Sequence, residues 1–265
     1  MNTNDLREHL IGRAPWVDRE RTVDTVKFGD PTRQVSTVAV CWYPSLVALR
    51  AAAELGCDLV VTHEPLFWEH RDPPDHPNRD REPGLSRRRL LEEAGMTVLR
   101  CHDAWDNWPQ IGIRDSWAKW LGLTRFLAED ATRWHAVYAI DPEPLRQFAA
   151  HVAERIAPLG EDSVQVIGDP ERIVSRPAVG VGCGGPGLDM IAAGADVLIV
   201  CYDGASYWQR RQQYTEAGAA VIAVEHGTCE IPGIENLAKY LAETFPQWTV
   251  HHVEEHERTW TVKPV

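Results

Sequence analysis

The chain has 265 residues, 39 acidic and 27 basic side chains and a formal net charge of -12, which excludes a broad nucleic-acid-binding surface, since phosphate contacts need clustered Lys and Arg. Its length suffices for one large core or two smaller ones without a disulfide or a structural metal. There is no N-terminal apolar leader and no apolar run near the ~18 residues that span a bilayer, so the expectation is a cytoplasmic protein without membrane partners.

The six cysteines (Cys41, Cys57, Cys101, Cys183, Cys201 and Cys229) form no CxxC pair and lie in or beside apolar runs, so they read as reduced core thiols. Basic runs at 87–89 and 210–211 read as solvated faces of helices.

In chain order, four segments share one grammar: helix, small residue and glycine, short β-rich run, then polar residues. They are AAAELGCDLVVTHEP (51–65), LLEEAGMTVLRCHDAWDN (90–107), MIAAGADVLIVCYDG (190–204) and YTEAGAAVIAVEHGTCE (214–230). Glycine suits the left-handed position after a helix, and apolar runs this short suit buried parallel strands. The alternation predicts an α/β fold with a mainly parallel sheet and functional groups gathered beyond the carboxyl ends of its strands. Between the second and third segments, WHAVYAI (134–140) reads as a strand, PEPLRQFAAHVAERIA (142–157) as an amphipathic helix and SVQVIGD (163–169) as a strand. This divides the chain into a first lobe of residues 1–125 plus 215–265, carrying the metal motifs, and an inserted lobe of residues 126–214.

The strand ends carry the chemistry. The first unit ends in His63 and Glu64, the second in His102, Asp103 and Asp106, the fourth in His226 and Glu230, and the third in a weaker set, Cys201, Tyr202 and Asp203. If the first, second and fourth strands are neighbours in one sheet, their ends converge. With His102 and Asp103 set aside, the remaining two histidines and three carboxylates exceed what one tetrahedral zinc takes and suit two divalent ions sharing a carboxylate. Nitrogen and oxygen donors without thiolate favour Zn, Mn, Fe, Co or Ni over calcium. In HGTCE, His226 and Glu230 would share a face if helical, but are placed on the strand-to-helix turn, with Glu230 at the positive helix end and Pro232 in the first turn; either geometry offers one nitrogen and one oxygen to the same site. Asp103 reads as a turn or cap residue, whereas His102 is open to roles as ligand, orienting donor or proton carrier. Trp117 and Trp120 read as a packed helix face, and Trp105 and Trp108 as either core or the wall of a pocket for a planar substrate.

The order THEPLF, HDAWD, EHGTCEIPGIENLAKYL resembles the dinuclear-metal, hexameric Nif-three-like family, whose members often carry the name GTP cyclohydrolase I type 2. The resemblance implies two related α/β lobes with three-layer, mainly parallel or mixed sheets, a bimetal centre between them, and a homo-hexamer. Carried over by position, the implied ligands are His63, Glu64, Asp106, His226 and Glu230, holding two divalent metal ions per chain; in a hydrolase reading His102 is left as the catalytic proton carrier. Glu64 departs from the family, which commonly has a second histidine there; its added negative charge should lower Lewis acidity and favour harder ions. The implied activity is a metal-dependent hydrolase of a small molecule, with a nucleotide suggested by the family name alone. No GxxxxGK[ST] or strand-linked GxGxxG motif supports nucleotide binding, and GCGGPG (182–187) reads as a tight turn or an anion-binding loop. A phosphoesterase or C–N or C–S bond hydrolase, and a non-catalytic metal-binding oligomer, are the alternatives.

Overall fold

The computed structural model describes residues 1–73, 75–130, 133–182, 187–254, 260 and 262. The chain opens with α1 (Thr3–Ile11), β1 (Val26–Phe28), β2 (Thr37–Cys41), α2 (Leu46–Glu54), β3 (Leu59–Thr62), α3 (Gly84–Ala94), β4 (Thr97–Arg100) and the single turn α4 (Asp103–Asp106). It continues with α5 (Ile113–Trp120), β5 (Arg125–Glu129), β6 (His135–Ala139), β7 (Glu143–Pro144), α6 (Leu145–Ile156), β8 (Gln165–Ile167), β9 (Ile173–Val174) and β10 (Pro177–Gly180). It closes with α7 (Gly187–Ala192), β11 (Val197–Cys201), α8 (Tyr202–Ala205), α9 (Trp208–Glu216), β12 (Ala220–Val224), α10 (His226–Thr244) and β13 (Thr249–His252).

These elements form two compact units, Met1–Trp108 with Ile234–Glu255, and a second that holds Pro109–Gly233. The first unit has a five-stranded sheet in the order β1-β4-β3-β2-β13, parallel except for β1. Every residue of β3 and β4 is buried, as expected of central parallel strands covered on both faces. Leu49 of α2 and Leu91 of α3 pack with Val60, Val98 and Phe67 into its core. Gly95, at φ 64°, closes α3 in the left-handed conformation that the helix-glycine-strand grammar anticipates. The expected solvated face at 87–89 is corrected at Arg87, which is buried. Its guanidinium lies 3.8 Å from the Trp68 ring centroid and 4.7 Å from that of Tyr43, and donates to Leu66 O at 2.6 Å. Stacking on aromatic planes and a carbonyl partner offset the desolvation of a charge that a lysine would bury at greater cost.

The second unit has a six-stranded mixed sheet in the order β5-β6-β10-β11-β12-β8, whose central β10, β11 and β12 are parallel. Here the sequence expectation needs correcting: β12 lies beside β11, whereas β3 and β4 belong to the other sheet. The β11-α8-α9-β12 connection is a short βαβ crossover, which brings sequential strands together as parallel neighbours. Its core unites Trp117, Leu121, Phe148, Val179, Val224, Cys229 and Ile231. Residues 109–125 and 215–233 therefore belong with this unit, beyond the boundaries drawn from the sequence. Trp117 is buried in that core, and the Trp120 indole donates to Arg155 O at 2.7 Å. The five cysteines among the described residues are buried and form no disulfide. No helix among the described residues is long and apolar enough to cross a membrane.

Candidate metal-binding residues

In the first unit the THEP and HDAWD segments follow β3 and β4, whose terminal residues Thr62 and Arg100 are paired in register. Adjacent parallel strands deliver both segments to one edge of the sheet. His63 is fully buried, and its Nδ1 lies 3.1 Å from Cys101 O. A carbonyl only accepts, so Nδ1 carries the proton and Nε2 is the nitrogen left for another partner. That Nε2 faces Asp106 Oδ1 at 3.3 Å. Asp106 is itself buried, and its Oδ1 accepts no hydrogen bond among the described residues. Two electron-rich atoms at this separation repel unless a proton or a cation is held by both.

His102 stacks on His63 with ring centroids 4.5 Å apart and 14° between planes. Its Nδ1 lies 3.0 Å from Asp103 Oδ1 and 3.3 Å from Asp106 Oδ2. His63, Glu64 and His102 each offer a donor atom, all within 4.8 Å of one another. Burial would raise the Asp103 carboxyl, but hydrogen bonds from His102, Thr22 and the Val23 amide outweigh it and hold the carboxyl below its ordinary range. Trp105 is fully buried among Trp108 and Tyr240, so the substrate-wall alternative fails for it.

Two residues that sequence reasoning passed over hold this arrangement. Asp24 is buried, and its Oδ1 accepts from the His102 and Asp103 amides at 2.6 and 2.9 Å while Oδ2 accepts from Ala104 N at 2.8 Å. It caps α4 from a distant segment, taking up amides that a one-turn helix cannot satisfy internally. Burial, then the Asp103 charge, raises the Asp24 carboxyl, and the amide bonds act against that rise. Arg100, fully buried, donates from Nε to His63 O at 2.8 Å and from Nη1 to His70 O, and its Nη2 lies 3.9 Å from Glu64 Oε2. His70, drawn in by this arginine, meets the His102 ring edge-on at 5.2 Å. Asp24 sits in an unremarkable RTVDTV context and gave no sequence signal; Arg100 could have been noticed as a cation ending an otherwise apolar run.

In the second unit, α10 begins at His226, so His226 and Glu230 occupy i and i+4 of a helix, which corrects the strand-to-helix turn. Pro232 falls inside that helix, not in its first turn. His226 Nε2 lies 3.1 Å from Glu230 Oε1, and Nδ1 lies 2.7 Å from Asp203 Oδ2. Burial would lower the His226 imidazole, but Glu230 and Asp203 outweigh it and raise it well above its ordinary value. Cys201, Asp203 and His226 also present donor atoms within 4.8 Å of one another. Gly182 closes against this pair: with φ 51°, a Cβ there would stand 3.2 Å from Glu230 Oε1 and 3.4 Å from His226 Nε2. The remainder of GCGGPG up to residue 186 lies outside the described residues.

The donor chemistry suits a divalent ion. Imidazole and carboxylate dominate, Asp106 and Glu230 are buried, and one imidazole nitrogen is set by a carbonyl so that the other faces a carboxylate.

Comparison with known proteins agrees with the fold. A model of the Duf34/NIF3 (NGG1p interacting factor 3) family matches residues 1–259. A Deinococcus radiodurans protein named GTP cyclohydrolase 1 type 2 homolog is 26% identical over 215 residues, covering 81% of this chain and 78% of its own. A protein of the same name from Allochromatium vinosum is 24% identical over 207 residues, 77% of each chain. A Bacillus cereus protein described as related to NIF3 superposes with TM-score 0.80 at 13% identity, over 99% of both chains. A Staphylococcus aureus hypothetical protein does so with TM-score 0.81 at 17% identity, also over 99% of both. At such identities the two structures establish the shared fold alone.

Proposed function

Given that the chain belongs to the Duf34/NIF3 family, we propose that it is a metal-dependent hydrolase of a small molecule. In this reading the ligands for two divalent ions per chain are His63, Glu64, Asp106, His226 and Glu230, within the homo-hexamer that the resemblance implies. The observation that carries it is the approach of His63 Nε2 to Asp106 Oδ1 at 3.3 Å in a fully desolvated place. Bound divalent ions supply Lewis acidity, polarising a scissile bond and making water reactive near neutral pH.

The chain's own residues account for the rest. His102, with Nδ1 held by Asp103 and Asp106, gives or takes a proton at Nε2. Asp24 and Arg100 fix the backbone on which His102, Asp106 and His63 stand, so that reacting groups meet without reorganisation. Glu64 puts a carboxylate where the resemblance implies an imidazole, which favours Mn or Fe over softer ions. The names of the relatives support a purine nucleotide as the first substrate to try.

The test is turnover of a panel of nucleotides, phosphoesters and amides by protein loaded with Zn, Mn or Fe. The expected result is metal-dependent hydrolysis of at least one compound, lost in His226→Ala. Hydrolysis retained in a His226→Ala, Glu230→Ala double variant would refute the site. Metal binding without turnover of any compound would favour a role in metal delivery or storage.

A further inference from the structure

The metal reading employs one nitrogen of His226 and leaves the other side of the ring unexplained. That side is built as deliberately as the first. β11 and β12 pair in parallel with Cys201 opposite Val224, so two further residues along each chain bring Asp203 alongside His226. The pairing register thus specifies the contact, although 23 residues separate the two in sequence. Oδ2 of Asp203 lies 2.7 Å from Nδ1, within the range of charge-assisted N–H···O bonds, and the Cys201 thiol points at the same oxygen from 3.8 Å. On the opposite edge of the ring, Nε2 faces Glu230 Oε1 at 3.1 Å, with Gly182 leaving just the room that a side chain would fill.

We propose that Asp203 is a positioning residue for metal binding: its carboxylate keeps the proton on His226 Nδ1, fixes the ring plane and directs the Nε2 lone pair to a divalent cation shared with Glu230. The inference rests on the metal-binding reading above. An ionised carboxylate behind a ligating imidazole also makes the ligating nitrogen more basic, which strengthens its bond to the ion. The competing arrangement is one in which Asp203 and Cys201 themselves ligate, with His226 turned to offer Nδ1, because the donor atoms of all three lie within 4.8 Å of one another. The two arrangements differ in which imidazole nitrogen meets the metal and in whether the number of bound ions depends on Asp203.

The experiment uses the full chain, stripped with chelator and titrated with Zn2+ alone by competition against a chromophoric chelator. Wild type, Asp203→Ala, Asp203→Asn, Asp203→Glu and His226→Ala are compared. The positioning role predicts that Asp203→Ala weakens one site 10–100-fold while the ion count per chain stays that of wild type. Asp203→Asn, which can still accept from Nδ1 but lacks the charge, should fall between, and Asp203→Glu should restore part of the loss. The melting temperature of stripped Asp203→Ala should match stripped wild type, separating positioning from folding. Nitrogen-15 NMR of the zinc-loaded chain should show His226 coordinated through Nε2 with a proton on Nδ1. Unchanged zinc affinity in Asp203→Ala, coordination through Nδ1, or loss of a whole ion in Asp203→Ala as in His226→Ala would each overturn the proposal. A wild-type chain that takes up no zinc would instead refute the metal-binding reading, and this inference with it.

Discussion

Replacing Asp24 with alanine should destabilise the protein far more than its place in a short loop suggests. The carboxylate is 2% exposed and accepts three backbone amides, those of His102, Asp103 and Ala104, at 2.6, 2.9 and 2.8 Å. A buried donor left without an acceptor costs about 1–3 kcal/mol, so three set a ceiling of about 3–9 kcal/mol. Two effects reduce it: the variant no longer buries a carboxylate whose protonation burial already favours, and water can enter the vacated space. The expected net loss is about 3–4 kcal/mol. Asp24→Asn keeps the Oδ1 acceptor of two amides but turns an NH2 toward Ala104 N, so its loss should be about 1–3 kcal/mol. Urea unfolding of the chelator-treated chain at pH 7 measures both, read from the midpoint at constant m. Asp24→Ala within 0.5 kcal/mol of wild type, or Asp24→Asn as damaging as alanine, would refute the capping argument for which about 1 kcal/mol is the usual scale.

Glu161 gives a pH signature. Burial raises its carboxyl to about 7 from an ordinary 4.5, against the pull of the Glu225 amide, which reaches its two oxygens at 3.1 and 3.0 Å. The folded chain therefore keeps a proton that the unfolded chain has released between those two values, so the Glu161 contribution to stability declines as pH rises through that window, by up to about 3 kcal/mol. The stability of Glu161→Gln minus that of wild type, measured in chelator, should grow by about 2–3 kcal/mol from pH 4.5 to pH 8, and a difference that stays flat would contradict the shift. Gly233→Ala should lower the melting temperature, because a Cβ there meets Ile113 Cδ1 at 2.7 Å and Ile113 Cα at 2.8 Å; overpacking of this kind costs about 1–3 kcal/mol, and an unchanged melting temperature would show that α5 gives way freely.

Local chemistry was legible in the sequence, and long-range pairing was not. The runs that became β3, β4, β11 and β12 are short, apolar and bounded by glycine and polar residues, signals that lie within a dozen positions. That β12 joins β11 is a property of the crossover, and the grouping of strand ends by residue type alone missed it. His226 and Glu230 were visible as a pair, but the helix start that places them one turn apart was hidden behind Pro232, which reads as a first-turn residue. Asp24 contacts amides 78 to 80 residues away, and Arg87 looks like its less buried neighbours Arg88 and Arg89 until Trp68 and Tyr43 are brought to it. Asp203 ended the weakest of the four units and became informative only through its register with His226.

The proposed centre is a pair of divalent ions with His63, Glu64, Asp106, His226 and Glu230 as ligands. Elemental analysis of the chain, purified without chelator and quantified against amino-acid content, tests it most directly. Two divalent ions per chain are expected, with fewer in His63→Ala and in His226→Ala; one ion or none in the wild-type chain would contradict the proposed centre.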